Sequence, residues 1–190
     1  MSQPAYPQRP LPPPPPPNRG GSGAGMGVGL IIVLIAIPAL VAIIGILAVM
    51  SIYGTRKYIA NAKTAEARNT LGMLGKLAVS AYERDGKVCP SASQPVPASP
   101  TAVSAKKYMS TPSDWDADKA ANAGFACLKF EMSMPQYFQY DYKATSAGFT
   151  ATARGDLNGN GVYSEFKVEG RVIGGVLQVA PTISETNPEE

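Results

Sequence analysis

The sequence predicts an α+β chain in which a long N-terminal helix, first apolar and then amphipathic, packs on a C-terminal antiparallel β-sheet. Three observations predict it. None of the 31 charged residues lies between Arg19 and Arg56, which leaves 36 consecutive uncharged positions. Leu71, Leu74, Ala78 and Ala81 then recur at spacings of three and four, the signature of a one-sided helix. From Tyr137 to Glu169, apolar and polar residues alternate with a period of two, the signature of half-buried strands. A helix stripe and a sheet face that both need covering can cover each other.

Residues 1–25 precede the helix as a disordered tail. Nine of the 18 prolines fall within residues 1–17, and Gly20-Gly21-Ser22-Gly23 follows them. Pro12 to Pro17 favours extended polyproline II and the glycine stretch favours flexible coil, with almost nothing to bury. Two readings stay open for this tail. It is a solvated spacer, or Arg9-Pro10-Leu11-Pro12-Pro13-Pro14 is a ligand for an aromatic-lined groove of a cytosolic partner. It lacks the basic start and short length of a secretory signal.

Residues 26–53 form the predicted transmembrane helix. Met26 to Tyr53 is 28 residues of mostly Ile, Leu, Val, Ala, Met and Gly. At 1.5 Å per residue it reaches roughly 40 Å, against a hydrocarbon core of about 30 Å. No face of it is polar, so a soluble core helix does not fit. Pro38 removes one backbone bond, which a membrane helix tolerates. Ala39, Ala42 and Gly45 would let a neighbouring helix approach closely, although Gly and Ala are also simply common in such helices.

The amphipathic extension, residues 54–84, follows without a helix breaker. Lys63, Arg68, Lys76 and Arg84 lie off the apolar stripe, and Asp85-Gly86 is a helix stop. Residues 85–125 read as a loop rich in Pro, Ser and Ala, with Pro90, Pro95, Pro97 and Pro100 spaced through it. Ser113 could cap a short helix with Asp114 and Asp116 in its first turn, and Trp115 reads as a core anchor.

The sheet is expected over residues 126–180. Cys127 to Met132 is its first predicted strand and Tyr137 to Lys143 its second. Phe149, Ala151 and Ala153 alternate with Thr150, Thr152 and Arg154; Ser164, Phe166 and Val168 alternate with Glu165, Lys167 and Glu169. Turns at Ser146 to Gly148 and Leu157 to Gly161 make these a meander, with Val172 to Val179 as a last strand. Residues 181–190 read as a flexible C-terminus.

Few residues offer chemistry. The chain has no histidine, which removes the commonest general base and the commonest zinc ligand. Ser, Lys and Asp occur without any motif that activates a nucleophile, so no enzyme is predicted and no small-molecule substrate is evident. A net charge of +3 without a basic run argues against nucleic acid. Cys89 and Cys127 are 38 positions apart and suit a disulfide across the loop, contributing roughly 3–4 kcal/mol on the chain-entropy estimate; the alternative is two unrelated buried thiols. Asp156, Asn158 and Asn160, with Gly161 sixth, open like a calcium loop. Lys167 stands where the bidentate glutamate belongs, so a tight hairpin turn is the competing reading and the expected cofactor is none or calcium.

The block Ala42-Ile43-Ile44-Gly45-Ile46-Leu47-Ala48, followed by Lys57-Tyr58-Ile59-Ala60-Asn61-Ala62-Lys63-Thr64-Ala65-Glu66-Ala67, resembles type IV pilins and the pseudopilins of type II secretion systems. The resemblance covers about residues 30–84. It implies a helix anchored in the bacterial inner membrane that bundles with other pilin-like subunits or with secretion and pilus assembly proteins, and whose amphipathic half packs on a periplasmic or extracellular sheet. Aligned on this block, Ile31 stands at the family's peptidase-site glycine and Ala36 at its following glutamate. A chain so altered is not expected to be processed there or to serve as a major filament subunit. Gly25-Met26 is the one conceivable cut site.

Topology has evidence on both sides. Arg9 and Arg19 flank the span before it, and Arg56, Lys57, Lys63 and Arg68 after it, so the positive-inside count places the sheet in the cytoplasm. A disulfide requires an oxidising compartment and the resemblance implies the outside, which together predict a single-pass protein with its C-terminal domain exported.

Overall fold

A computed structural model describes residues 25–188. The tail, its Arg9 to Pro14 segment and the last two residues lie outside the described residues. The architecture is α+β: a long N-terminal helix and an antiparallel sheet. The chain divides into two units, Met1–Met50 and Ser51–Glu190.

Helix α1 spans Gly25–Asp85 and continues through Pro38. Within the first unit its described large side chains are exposed. From Leu30 to Met50 every large apolar residue is between 51% and 68% exposed. It is the one helix among the described residues long and apolar enough to cross a membrane.

In the second unit the same helix becomes one-sided, as its spacing predicts. Ala67, Leu71, Leu74, Ala78 and Ala81 are at most 2% exposed. It ends as Asp85-Gly86 predicts: Gly86 takes a left-handed φ of 68° and its N–H donates to the Tyr82 carbonyl at 2.8 Å.

Strands β1 (Gln139–Thr145), β2 (Gly148–Gly155), β3 (Ser164–Ile173) and β4 (Val176–Val179) form a meander. The apolar half of each alternation faces inward. Phe138, Tyr140 and Tyr142, then Phe149, Ala151 and Ala153, then Phe166 and Val168, are all buried with the stripe of α1. Gly170 opposes Phe149 across β2 and β3, and the Phe149 ring occupies the space a Cβ there would need. The stretch expected as one last strand is instead a hairpin, because Gly174 and Gly175 both adopt positive φ and reverse the chain between β3 and β4.

Four further expectations are corrected. Cys127 to Met132 is not a strand: helix α3 covers Gly124–Leu128. Lys129 ends it in the left-handed region, with Phe130 N–H donating to Phe125 O at 3.0 Å and Lys129 N–H to Ala126 O at 3.1 Å, a Schellman end. The cap of helix α2 (Pro112–Trp115) is Thr111 rather than Ser113. Pro112 takes the first helical position, where no N–H is needed, and Asp114 closes a capping box. The sheet therefore begins at Gln139, not 126. Finally, the C-terminus is not loose throughout, since β5 (Ser184–Thr186) pairs with β3.

Strands β4 and β5 share one edge of β3. Gly170 pairs with Val179, whereas Lys167 pairs with Ser184, so the register shifts by two between them. Pro181 lies in the interruption, where it has no N–H for the ladder. The opposite edge, β1, is covered by the loop after α1: Val96 exchanges backbone hydrogen bonds with Tyr140 at 2.8 Å each way, and Ala92 N–H donates to Tyr142 O at 2.9 Å.

Candidate functional site

Four places carry the residues that chemistry or assembly could use: the apolar helix, the cross-linked loop, the turn from Asp156 to Gly161, and the seam between α1 and the sheet.

On the apolar helix, Ala39, Ala42 and Gly45 are all exposed. Apart from its chain neighbours and the helix's own nearby backbone, no atom of the described residues lies within 4 Å of where a Gly45 Cβ would stand. The small residues thus have no partner within the described residues. Gly25 opens α1; the side chain of Met26 lies outside the described residues.

The structure brings Cys89 and Cys127 together as a disulfide, with Cα atoms 5.9 Å apart. One cysteine follows α1 and the other sits in α3, so the bridge holds the proline-rich loop against the helix end. There Arg84 also donates to the Cys127 carbonyl at 3.3 Å. Trp115 is 2% exposed and fills the loop's centre. The rings of Phe125 and Phe130 meet it edge-on at 5.0 and 5.1 Å, and its indole N–H donates to Ser110 Oγ at 2.9 Å.

The loop from Asp156 to Gly161 turns its oxygens inward on itself. Asp156 is 1% exposed. Its Oδ1 accepts N–H bonds from Gly159 and Asn160 at 2.7 and 3.1 Å; its Oδ2 accepts the Ser104 hydroxyl at 2.6 Å and Gly161 N–H at 3.2 Å. Asn158 Oδ1 accepts Asn160 N–H at 2.9 Å, and Asn160 Oδ1 accepts Val162 N–H at 2.7 Å. The carboxylate thus accepts a set of N–H and O–H donors that close the loop as a turn. Among the described residues no three acidic, His or Cys side chains are grouped so that they could hold a metal ion. Burial alone would raise the Asp156 pKa, but the Ser104 hydroxyl and the three N–H donors outweigh it and hold the carboxyl below its usual range.

The seam is the part that motif reading overlooked. Glu66 projects from α1 toward the start of the sheet, where its two oxygens accept Tyr137 N–H at 3.0 and 3.2 Å and Oε1 also accepts the Tyr140 hydroxyl at 3.1 Å. Burial raises its pKa above the usual carboxylate value; those hydrogen bonds and the charge of Lys107 offset part of the effect. Lys63 and Lys107 bring their Nζ atoms to 5.0 and 4.9 Å from the centre of the Tyr137 ring. Further along, Arg68 grips Glu185 of β5 with two bonds, Nε to Oε1 at 2.7 Å and one terminal nitrogen to Oε2 at 2.9 Å. Arg68 also lies over the Phe166 ring at 5.5 Å. Glu66 precedes the stripe residue Ala67 by one position and buried Thr70 by one turn, and its spacing of four from Thr70 could have marked it as inward-facing.

The chain matches no family profile, no curated protein and no solved structure.

Proposed function

We propose that the protein is a structural, pilin-like or pseudopilin-like subunit of a bacterial inner membrane, which contributes to or modulates a type IV filament or type II secretion assembly. One observation carries the reading. Helix α1 has two regimes: every large apolar side chain from Leu30 to Met50 is exposed, while the stripe from Ala67 to Ala81 is buried under an antiparallel sheet. A helix without a polar face gains only where lipid or other apolar helices surround it. The sheet-covered half needs no such partner and can present its outer surface to other subunits. The reading assigns the chain no catalytic role.

In this reading the C-terminal unit is exported, because the Cys89–Cys127 bridge is stable only in an oxidising compartment. A fusion reporter that places residues 56–190 in the cytoplasm would sink the placement. Site-directed cross-linking from Ala39, Ala42 or Gly45 is expected to capture pilin-like neighbours in cells that assemble the machine.

A second reading rests on Ile31 and Ala36, which stand where the resembled family carries its peptidase-site glycine and its glutamate. It is an uncleaved, single-pass anchor that displays a small binding domain, with the proline-rich tail recruiting a cytosolic partner. N-terminal sequencing of the native protein separates the two. A chain that still starts at Met1 and occurs only as dispersed membrane monomers favours the second reading.

A further inference from the structure

The end of the second unit at which the chain enters from the apolar helix carries a mixed cationic and apolar patch. Lys63 and Lys107 converge on the Tyr137 ring, at 5.0 and 4.9 Å, and Lys106 beside them is exposed. Tyr108 and Gln136 exchange backbone hydrogen bonds of 2.9 and 2.8 Å, which makes residues 107–109 a short antiparallel bridge. Side chains alternate across such a bridge, so Lys107 and Met109 share one side and Tyr108 and Ser110 the other. Ser110 is buried, donating to the Met132 carbonyl at 3.1 Å, and Met109 accordingly faces out, 59% exposed. Met134, two positions before Gln136, is 70% exposed, and Ile59 precedes Lys63 by one helical turn on the same side of α1.

The composition selects the occupant. Ammonium groups on long stems, a tyrosine ring and flexible thioethers are the side chains that settle at the boundary between headgroups and acyl chains. The Glu66 carboxylate of α1 takes its hydrogen bonds from Tyr137 N–H and the Tyr140 hydroxyl rather than from Lys63 or Lys107. Lys63 follows Ile52, the last large aliphatic residue of the apolar run, by eleven positions (63 − 52) in one helix, so the patch is covalently held near whatever bilayer takes residues 26–53.

We infer that this patch seats the second unit on anionic lipid headgroups, with Lys63 and Lys107 against lipid phosphates and Met109 and Ile59 against the acyl boundary. The inference rests on the membrane-anchor reading above.

The test uses the full chain in lipid nanodiscs, whose two faces are both open to solution. Hydrogen peroxide, an uncharged oxidant, converts exposed methionines to sulfoxides, and mass spectrometry follows each site. Met73, 46% exposed and in a different stretch of α1, serves as the internal reference. In discs of phosphatidylglycerol, Met109 is expected to oxidise roughly threefold or more slowly relative to Met73 than in discs of phosphatidylcholine. The protection should vanish at about 1 M salt, where the Debye length is about 3 Å, and in the double variant Lys63→Glu, Lys107→Glu. Unchanged Met73 oxidation and an unchanged melting temperature show that this variant still folds. Equal relative rates in both lipids, in a chain that co-elutes with the discs, overturn this inference and leave the anchor reading standing. A chain that elutes free of lipid overturns the anchor reading, and this inference with it.

Discussion

Asp156 shows how a single buried carboxylate can organise a turn. Four donors converge on it, and its replacement by alanine leaves them unanswered. Asp156→Ala is expected to cost about 2–3 kcal/mol in urea unfolding, the range for hydrogen bonds to a charged group, and millimolar calcium is expected to give no heat with the unmodified protein. Its pKa is lowered in the folded chain, so its contribution is full above 3.8, its ordinary value, and is lost as pH falls through the lower folded value. Glu66 has the opposite sign. Burial raises its pKa above 4.5, so the folded state is relatively favoured when Glu66 is protonated. A penalty then develops as pH rises from 4.5 through the raised value. Glu66→Gln should remove that slope, and the wild-type protein should lose stability relative to the variant between mildly acid and neutral pH. The Asp156 turn was legible because Asn-Gly-Asn-Gly between two alternating runs is itself a turn signal. The Glu66 contacts were not: they join residues 71 positions apart, and no local pattern encodes such a meeting.

Among the elements, the period of the apolar residues decided most of what could be read. Phe138, Tyr140 and Tyr142 alternate and are buried, and Leu71 and Leu74 recur and are buried. Leu74→Ala is expected to destabilise by about 2–5 kcal/mol, since a fully buried leucine leaves both lost transfer energy and a cavity. The segment after Cys127 exposes the limit of that reading. Leu128 and Phe130 are buried while Lys129 and Glu131 are exposed, so the alternation is real. No neighbouring strand runs beside it, and the chain is a helix end followed by extended backbone packed on Trp115. Alternation reports which face is buried and says nothing about pairing. β5 escaped for the converse reason: its three residues are exposed, and only the backbone ladder to β3 makes them a strand. Removing the Cys89–Cys127 bridge with a double Cys→Ser variant should lower stability by roughly 3–4 kcal/mol for a loop of 38 residues, read from thermal or urea unfolding.

At the scale of the whole molecule, the uncharged stretch defines the first unit and the sheet defines the second. The position that most directly tests the membrane reading is Ala36. Restoring a carboxylate there, Ala36→Glu, places a charge deep in the apolar run, at about 3 kcal/mol on insertion scales. The membrane-inserted fraction of the chain is expected to fall measurably in an insertion assay. An unchanged fraction would mean that residues 26–53 do not lie in hydrocarbon. The division into a long apolar helix segment and a small α+β domain was legible from charge and periodicity alone, whereas the closing of the second unit by β5 was not.

That closure has a consequence for the order of synthesis. Arg68, near the start of the second unit, is held by Glu185, near its end, and β5 finishes the edge of β3 that Pro181 interrupts. A ribosome makes Arg68 early and still encloses Glu185 when β1 to β3 have emerged. The seam of α1 therefore stays open until the segment that carries Glu185 and β5 has emerged, so the second unit completes its fold last at the helix it began with.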